Sequence, residues 1–369
     1  MFVLDSHCDT PSQIFRLRDM TLDNDHSHVD FPKLRRGGID GAFWALYVPA
    51  GMSSEAGEEY AYEMLGSVMS VLESNRDKAA LALSPEQALA NKEAGLFSVF
   101  LALENGSPIG SSIDKLYDFY DAGIRYMTLS HSANNLICDS CASDVRKWNG
   151  LSPFGREVVM HMNRLGMMID VSHISDESFY DVLECSRAPV VASHSCCRAL
   201  AGHPRNMTDD MIRALAAAGG VIQINFFPVF LDSGFGKILD DSGIGEYGEA
   251  IEQEFIACPS DIARRAAWYG VLDELEALER PSYKKIADHI DHVVSLVGID
   301  HVGLGSDFDG IAVTPRGMED ASCFPVIFDE LRRWGYSEPD VEKIAGANFL
   351  RVFSEVRRLS GLSCSGSVR

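Results

Sequence analysis

Eight imidazole and carboxylate side chains stand out because each follows or ends a short apolar segment of the sequence. They are His7, Asp9, Glu104, His131, His173, His194, Asp307 and Asp309. Neutral imidazoles and carboxylates are the ligands that a divalent transition metal such as zinc prefers in proteins. The sequence therefore predicts a metal site, provided that the fold brings these distant residues together.

The number of ligands indicates two ions rather than one. His7 and Asp9 can grip one ion together, because residues two apart on a strand point to the same side. His173 and His194 can hold a second ion, with Glu104 as a carboxylate bridge between the two. Two adjacent metal ions hold a hydroxide that is nucleophilic at neutral pH and polarise a carbonyl group, which is the chemistry of a hydrolase.

Other candidate sites carry weaker signals. The Cys138-x-x-Cys141 pair has no second pair to complete a zinc or haem motif, so it is expected to be structural. Neither a glycine-rich phosphate loop nor a Gly-x-Ser-x-Gly elbow occurs, which disfavours a nucleotide enzyme and a serine hydrolase. The remaining histidines are expected to be surface or structural residues: His26, His28, His161, His203, His289, His292 and His301.

Short apolar runs alternate with helix-like segments along nearly the whole chain, which is the βα pattern of a parallel sheet. We place eight strands near 2–9, 41–48, 97–104, 124–131, 167–173, 189–195, 221–227 and 301–309. Eight such units predict an α/β fold of the (β/α)8 TIM-barrel type, with an open doubly wound sheet as the competitor. In a barrel, the C-terminal ends of the strands form one rim, where the eight ionisable residues converge.

Two regions are longer than a simple βα connection, at about 49–96 and 228–298, and we interpret both as helical insertions. The second is rich in acidic and aromatic residues and is expected to shape the mouth of the barrel. Because no repeat or linker interrupts the sequence, we predict one domain over residues 1–369.

The composition narrows the possible partners. With 32 basic and 54 acidic residues the net charge is −22, which repels nucleic acid and anionic membrane surfaces. The sequence has no spanning apolar run, no signal-peptide pattern at its N-terminus and nine scattered cysteines. We therefore expect a cytoplasmic protein with reduced thiols that binds neither nucleic acid nor membrane.

Taken together, the motifs resemble the membrane (renal) dipeptidase family of zinc peptidases, a branch of the metal-dependent amidohydrolases. The resemblance runs through Asp-Ser-His-Cys-Asp-Thr (5–10), Gly-Gly-Ile-Asp-Gly-Ala-Phe-Trp (37–44), Leu-Glu-Asn-Gly (103–106), Thr-Leu-Ser-His (128–131), Asp-Val-Ser-His (170–173), Ala-Ser-His-Ser (192–195), His-Pro-Arg-Asn-Met-Thr-Asp-Asp (203–210) and Gly-Leu-Gly-Ser-Asp-Phe-Asp-Gly (303–310). Their order and combination are highly specific to that family.

The resemblance implies two zinc ions per chain, with the same ligands and the same Glu104 bridge as above. It further implies that His131 contacts the substrate carbonyl oxygen or the tetrahedral intermediate, and that Arg205 binds the free carboxylate of a dipeptide. An arginine suits this role, because its planar fork can donate two parallel hydrogen bonds to a carboxylate. Asp307 resembles the acid/base residue that carries a proton from the attacking water to the leaving amine. Without the motif, Arg205 would be read as a surface ion pair with Asp209 or Asp210.

We therefore predict a binuclear zinc dipeptidase that uses a metal-bridging hydroxide. The resemblance adds tolerance of a D-residue at the C-terminal position and a homodimer. The alternative enzyme is another metal-dependent amidohydrolase acting on an N-acyl amino acid, a cyclic amide or a lactone. A barrel that binds a metal or small ligand without turnover is the non-enzymatic alternative, which the proposed proton carrier Asp307 disfavours.

Overall fold

Strands and helices alternate throughout residues 1–360, the part of the chain that the computed structural model describes. The strands are β1 (Leu4–Cys8), β2 (Gly41–Tyr47), β3 (Ala79–Leu81), β4 (Phe97–Glu104), β5 (Ile124–Thr128), β6 (Met168–Asp170), β7 (Val191–Ser195), β8 (Val221–Ile224) and β9 (Val302–Leu304). The helices are α1 (Thr10–Phe15), α2 (Phe31–Gly37), α3 (Ser54–Ser74), α4 (Pro85–Glu93), α5 (Ile113–Asp121), α6 (Pro153–Leu165), α7 (Asp176–Cys185), α8 (Asp209–Ala217), α9 (Pro228–Leu231), α10 (Phe235–Ser242), α11 (Ile244–Ala257), α12 (Ile262–Glu276), α13 (Lys284–Val297), α14 (Pro325–Arg333), α15 (Glu338–Glu342) and α16 (Asn348–Leu359).

Eight of the strands form a parallel barrel in the order β1-β2-β4-β5-β6-β7-β8-β9. The seam between β1 and the segment after β9 is closed by two backbone hydrogen bonds. The amide of Asp9 donates to the Phe308 carbonyl at 2.8 Å, and the amide of Asp307 donates to the His7 carbonyl at 3.0 Å. This confirms the predicted (β/α)8 fold and excludes the open sheet. The seam also places the motifs at 5–10 and 303–310 side by side.

The barrel interior is filled by aromatic side chains and closed at the N-terminal end of the strands by α16. Phe43 stacks on Phe100 with ring centroids 4.6 Å apart and on Tyr126 at 5.0 Å. From α16, Phe349 and Phe353 pack under these rings. Because strand residues alternate, their neighbours point outward to the helices, so both strand faces are buried as the apolar runs predict.

All eight predicted strands are present, but most are shorter than predicted at their C-terminal ends. The predicted strands 124–131, 167–173 and 301–309 end at Thr128, Asp170 and Leu304 instead. Two of the residues beyond these ends, His173 and Asp307, have φ of +69° and +63°, which no strand can accommodate. His131, His173 and Asp307 therefore lie on loops at the rim rather than in strands.

The first long region also departs from the prediction. Residues 49–96 contain α3 and α4 but also β3, which pairs in parallel with the N-terminal part of β4 and extends the sheet outside the barrel. Three residues are too few for the period-two pattern to reveal a strand in the sequence.

The second long region consists of helices α9–α13, as predicted. Helices α10–α12 bury a small apolar cluster of their own, separate from the barrel core, that includes Phe255 and Trp268. A cavity of about 550 Å³ lies between α11, α12 and residues 13–28, with Gly310 in its wall.

Further features bear on the other predictions. The eight cysteines within residues 1–360 are free thiols, while Cys364 lies outside the described residues. No helix in this part of the chain is both long and apolar enough to cross a bilayer. The single domain over residues 1–369 stays a prediction.

Candidate metal centre

Glu104, the last residue of β4, lies at the centre of a cluster of histidines on the C-terminal rim of the barrel. Its carboxylate oxygens lie 3.6 Å from His7 Nε2, 3.2 Å from His173 Nε2, 3.4 Å from His194 Nε2 and 3.8 Å from His131 Nε2. The structure therefore brings together residues that lie up to 97 positions from Glu104 in the sequence.

A second set of acidic groups lies next to His7, at the barrel seam. His7 Nε2 is 3.5 Å from Asp9 Oδ2, and His7, Asp9 and Asp307 place ligand atoms within 4.8 Å of one another. Gly310 permits this approach, because a Cβ atom on it would lie 2.2 Å from Asp9 Oδ2 and 2.7 Å from Asp307 Oδ1. Asp309 instead faces away and accepts a hydrogen bond from Arg18 at 2.6 Å.

The same spacing recurs in two further groups, His7–Glu104–His194 and Glu104–His131–His173. His173 Nε2 and His194 Nε2 are 2.9 Å apart, and the rings of His7 and His194 stack at 3.7 Å. The rim is therefore one continuous cluster, and Glu104 belongs to two of its three groups. The role of Glu104 as a bridge between two ions stays a prediction.

The orphaned atoms of this cluster fit a bound cation. His7 Nε2 and Asp9 Oδ1 are buried and have no hydrogen-bond partner among the described residues. A buried polar atom without a partner costs about 1–3 kcal/mol. Nitrogen and carboxylate atoms that face a common centre are the donors that zinc takes, so the residues present fit the metal that the fold implies.

Burial and neighbouring charges shift the pKa values of several ionisable groups on the rim. Burial, together with the positive charge of Arg205, lowers the pKa of His131 to about 3 and that of His173 well below its usual range. Burial and the nearby Glu104 raise the pKa of Asp9 to about 7. His131 and His173 are thus neutral at pH 7, as a metal ligand must be. His7 differs: burial lowers its pKa, but the carboxylates of Glu104 and Asp9 outweigh burial and raise the pKa well above its usual range.

Asp307 has a distinct environment within the cluster. Burial raises the pKa of Asp307 to about 6, and its Oδ2 accepts a hydrogen bond from Asn225 Nδ2 at 2.8 Å. Asn225 is not among the site residues predicted from the sequence, although it directly follows β8, where strand-end residues are expected to reach the rim. A carboxyl group with this pKa is ionised at neutral pH. It can accept a proton and release it again, because its pKa lies close to the pH of the solution.

Arg205 lies beside the histidines and is not the surface ion pair considered above. Its guanidinium donates to Ser195 Oγ at 2.9 Å and to the His194 carbonyl at 2.8 Å, while Nε has no partner among the described residues. Asp209 and Asp210 instead pair with His292 and Arg213. No carboxylate of residues 1–360 lies within ion-pair distance of Arg205.

The histidines expected to be structural lie outside the three groups of ligand atoms found in the described residues. They are His26, His28, His161, His203, His289, His292 and His301. His289, for example, accepts a hydrogen bond from the Cys197 amide and lies 3.1 Å from the Leu231 carbonyl.

Comparison with known proteins identifies the family. The model of the membrane dipeptidase family, peptidase family M19, matches residues 1–363. The chain belongs to this family. As an M19 member it is a metal-dependent dipeptidase, which confirms the resemblance and the enzyme class inferred from the motifs.

Individual M19 relatives agree with this assignment. Dipeptidase verJ of Clonostachys rogersoniana is 32% identical over 345 residues, which cover 90% of this chain and 77% of the relative. Dipeptidase tcpJ of Claviceps purpurea is 31% identical over 337 residues, covering 89% and 69%. The crystal structure of the probable dipeptidase PvdM from Pseudomonas aeruginosa superimposes with a TM-score of 0.83 and 27% identity, covering 98% of this chain and 96% of that chain.

Proposed function

We propose that this M19 protein is a binuclear zinc dipeptidase that cleaves the peptide bond of dipeptides and tolerates a D-residue at the C-terminal position. The observation that carries the choice of substrate is Arg205. Its buried guanidinium lies beside the histidine cluster without a carboxylate partner in the described residues. A substrate with a free carboxylate supplies that partner.

Five side chains would hold the ions: His7 and Asp9 for one, His173 and His194 for the other, and Glu104 for both. When bound, the ions supply Lewis acidity, polarising the substrate carbonyl and making water nucleophilic at neutral pH. The protein holds the five ligand side chains in a fixed arrangement on strand ends and adjoining loops.

The chain's own residues account for binding and proton transfer. Arg205 binds the carboxylate of the dipeptide through its free N–H groups. His131 lies next to the proposed ions, with its Nε2 3.8 Å from Glu104, and it would donate a hydrogen bond to the oxygen of the scissile carbonyl. Asp307 accepts a proton from the attacking water and passes it to the nitrogen of the leaving amine.

The alternative activity is that of another metal-dependent amidohydrolase. N-acyl amino acids share the free carboxylate of a dipeptide, so Arg205 favours them over cyclic amides and lactones, which lack it. Binding without turnover is disfavoured because a binding protein has no need of Asp307 at this position. A cytoplasmic location, a homodimer and the absence of nucleic-acid and membrane partners belong to the same proposal.

The experiment that tests the proposal counts zinc ions per chain alongside dipeptide turnover. The wild type should hold two ions, and His194→Ala should hold one and lose nearly all turnover. His292→Ala is the matched control, because His292 pairs with Asp209 outside the cluster, and it should keep both ions. Two ions and normal turnover in His194→Ala would remove His194 from the site.

A further inference from the structure

Two of the rim histidines are each hydrogen-bonded to a buried hydroxyl group, and each hydroxyl is hydrogen-bonded in turn to a different kind of acceptor. On one side, His194 Nδ1 lies 2.7 Å from Ser193 Oγ, which lies 2.6 Å from Asp170 Oδ2. On the other side, His7 Nδ1 lies 2.6 Å from Tyr126 Oη, which lies 3.0 Å from the Ser6 carbonyl oxygen.

The acceptors fix the direction of every hydrogen bond on the His194 side. Asp170 also accepts from the amides of Ser172 and Ser193 at 3.1 and 2.8 Å and from Thr128 Oγ1 at 2.5 Å, so its oxygens are used as acceptors throughout. Ser193 Oγ therefore donates to Asp170 and accepts from His194 Nδ1–H. This leaves the lone pair of His194 on Nε2, the atom that faces Glu104.

The same reasoning applies to His7. A carbonyl oxygen can only accept, so the Tyr126 hydroxyl donates to Ser6 and accepts from His7 Nδ1–H. In the neutral ring that a metal ligand requires, the lone pair of His7 is thereby placed on Nε2, which has no hydrogen-bond partner in the described residues. The Tyr126 ring is packed against Phe43 in the barrel interior, so the orientation of His7 depends on the core.

The two arrangements differ in charge. The His194 chain ends on a buried carboxylate, whereas the His7 chain ends on a neutral carbonyl. Groups that hold the second nitrogen of a metal-ligating histidine fix its tautomer and raise its basicity. Neither His131 nor His173 has a hydrogen bond on Nδ1 within residues 1–360.

We propose that Ser193 and Asp170 are positioning residues for His194, that Tyr126 is the positioning residue for His7, and that the two ions are therefore tuned independently by two separate hydrogen-bond chains. This inference rests on the two-ion site proposed above. It assigns a function to buried polar residues that touch neither the substrate nor an ion.

The test measures the affinity of the folded protein for each zinc ion by competition with a chromophoric chelator. Ser193→Ala should lower the affinity for one zinc ion about 10- to 100-fold and leave the affinity for the other unchanged. Tyr126→Phe should have the same effect on the affinity for the other ion. The double variant should have a lower affinity for both zinc ions. Ser193→Thr, which keeps the hydroxyl, should restore the affinity.

Two matched controls remove the same groups away from the site. Ser98→Ala deletes a buried hydroxyl at the opposite end of β4, where it bonds with Ala88 and Asn91. Tyr117→Phe deletes a phenol that contacts the non-ligand His161 at 3.0 Å. Both should keep the two wild-type affinities. Should Ser193→Ala not fold, Ser193→Cys gives the same test, since a thiol is a poor hydrogen-bonding group.

The outcomes separate this inference from the proposed function. A wild type that binds fewer than two ions contradicts the two-ion site itself. A wild type with two ions whose affinities are unchanged in Ser193→Ala and Tyr126→Phe contradicts only the positioning roles. Loss of the same single ion in both variants, and in the double variant, overturns the claim that the two chains act separately.

Discussion

Arg205 offers a direct way to test how the substrate is held. Replacing Arg205 by alanine removes the guanidinium that we place against the dipeptide carboxylate. Of its five N–H groups, one is used by Ser195 Oγ and one by the His194 carbonyl. Three N–H groups remain for the substrate, including the buried Nε–H.

The size of the effect follows from that count. A hydrogen bond to a charged group contributes about 1.5–3 kcal/mol, and a carboxylate can accept two from one guanidinium. Allowing for residual hydration of the substrate, we expect a loss of about 2–4 kcal/mol, which corresponds to about 30- to 1000-fold in kcat/KM. Most of the loss should appear as a higher KM, because the interaction is present in both the bound substrate and the transition state.

The assay compares each dipeptide with its C-terminal amide, in the wild type and in Arg205→Ala. For the wild type, amidation of the dipeptide should lower kcat/KM by about the same factor as the Arg205→Ala substitution does. For Arg205→Ala, amidation should lower kcat/KM little further, because the partner of the carboxylate has already been removed. Arg213→Ala is the control, since Arg213 forms an exposed ion pair with Asp210 on α8.

Two results would contradict the proposed role of Arg205. One is an unchanged KM in Arg205→Ala with wild-type ion content. The other is that amidation of the dipeptide lowers kcat/KM in Arg205→Ala by as large a factor as in the wild type, so that the effects of amidation and substitution multiply. Thermal melting of the variant separates either result from misfolding, because the substitution also leaves the His194 carbonyl without its donor.

Three further predictions concern other groups. Asp307→Asn should keep both ions but lower kcat about 100-fold or more, since an amide cannot accept the proton; wild-type kcat would contradict its role. Gly310→Ala should fold but lose about 100-fold in kcat/KM, because its Cβ would displace the carboxylates of Asp9 and Asp307; unchanged activity would show that their placement is not critical. Burial lowers the pKa of His289 to about 4 in the folded protein, so its contribution to stability is full above about pH 6.5 and is lost as pH falls toward 4, by up to about 3 kcal/mol. Urea unfolding should therefore show a weaker pH dependence over that range for His289→Gln than for the wild type, and equal dependence would argue against a neutral buried ring.

The strand order and the convergence of the site could be predicted from the sequence because both depend on local patterns. Apolar runs mark strands that are buried on both faces, and parallel strands carry their C-terminal residues to one rim. This is why Glu104, His194 and their distant partners could be grouped without a structure. The ends of the strands could not be predicted, because the positive φ of His173 and Asp307 arises from the tertiary contacts of the rim loops.

Other features leave no local trace in the sequence. Tyr126 reads as one more apolar strand residue, yet its hydroxyl reaches His7, which lies 119 positions away. The hydrogen bond from Asn225 to Asp307 depends on the closure of the barrel between β8 and β9. The cavity beside α11 and α12 depends on how an insertion packs, and no short pattern encodes that.

We propose that this rim hydrolyses dipeptides with bound zinc. The most direct measurement is the hydrolysis of a panel of L,L- and L,D-dipeptides by protein that has been stripped with a chelator and then restored with zinc. If the proposal is correct, turnover disappears on stripping, returns as two zinc ions per chain are added, and extends to dipeptides with a C-terminal D-residue. Restored protein that binds two zinc ions and cleaves no dipeptide would contradict it.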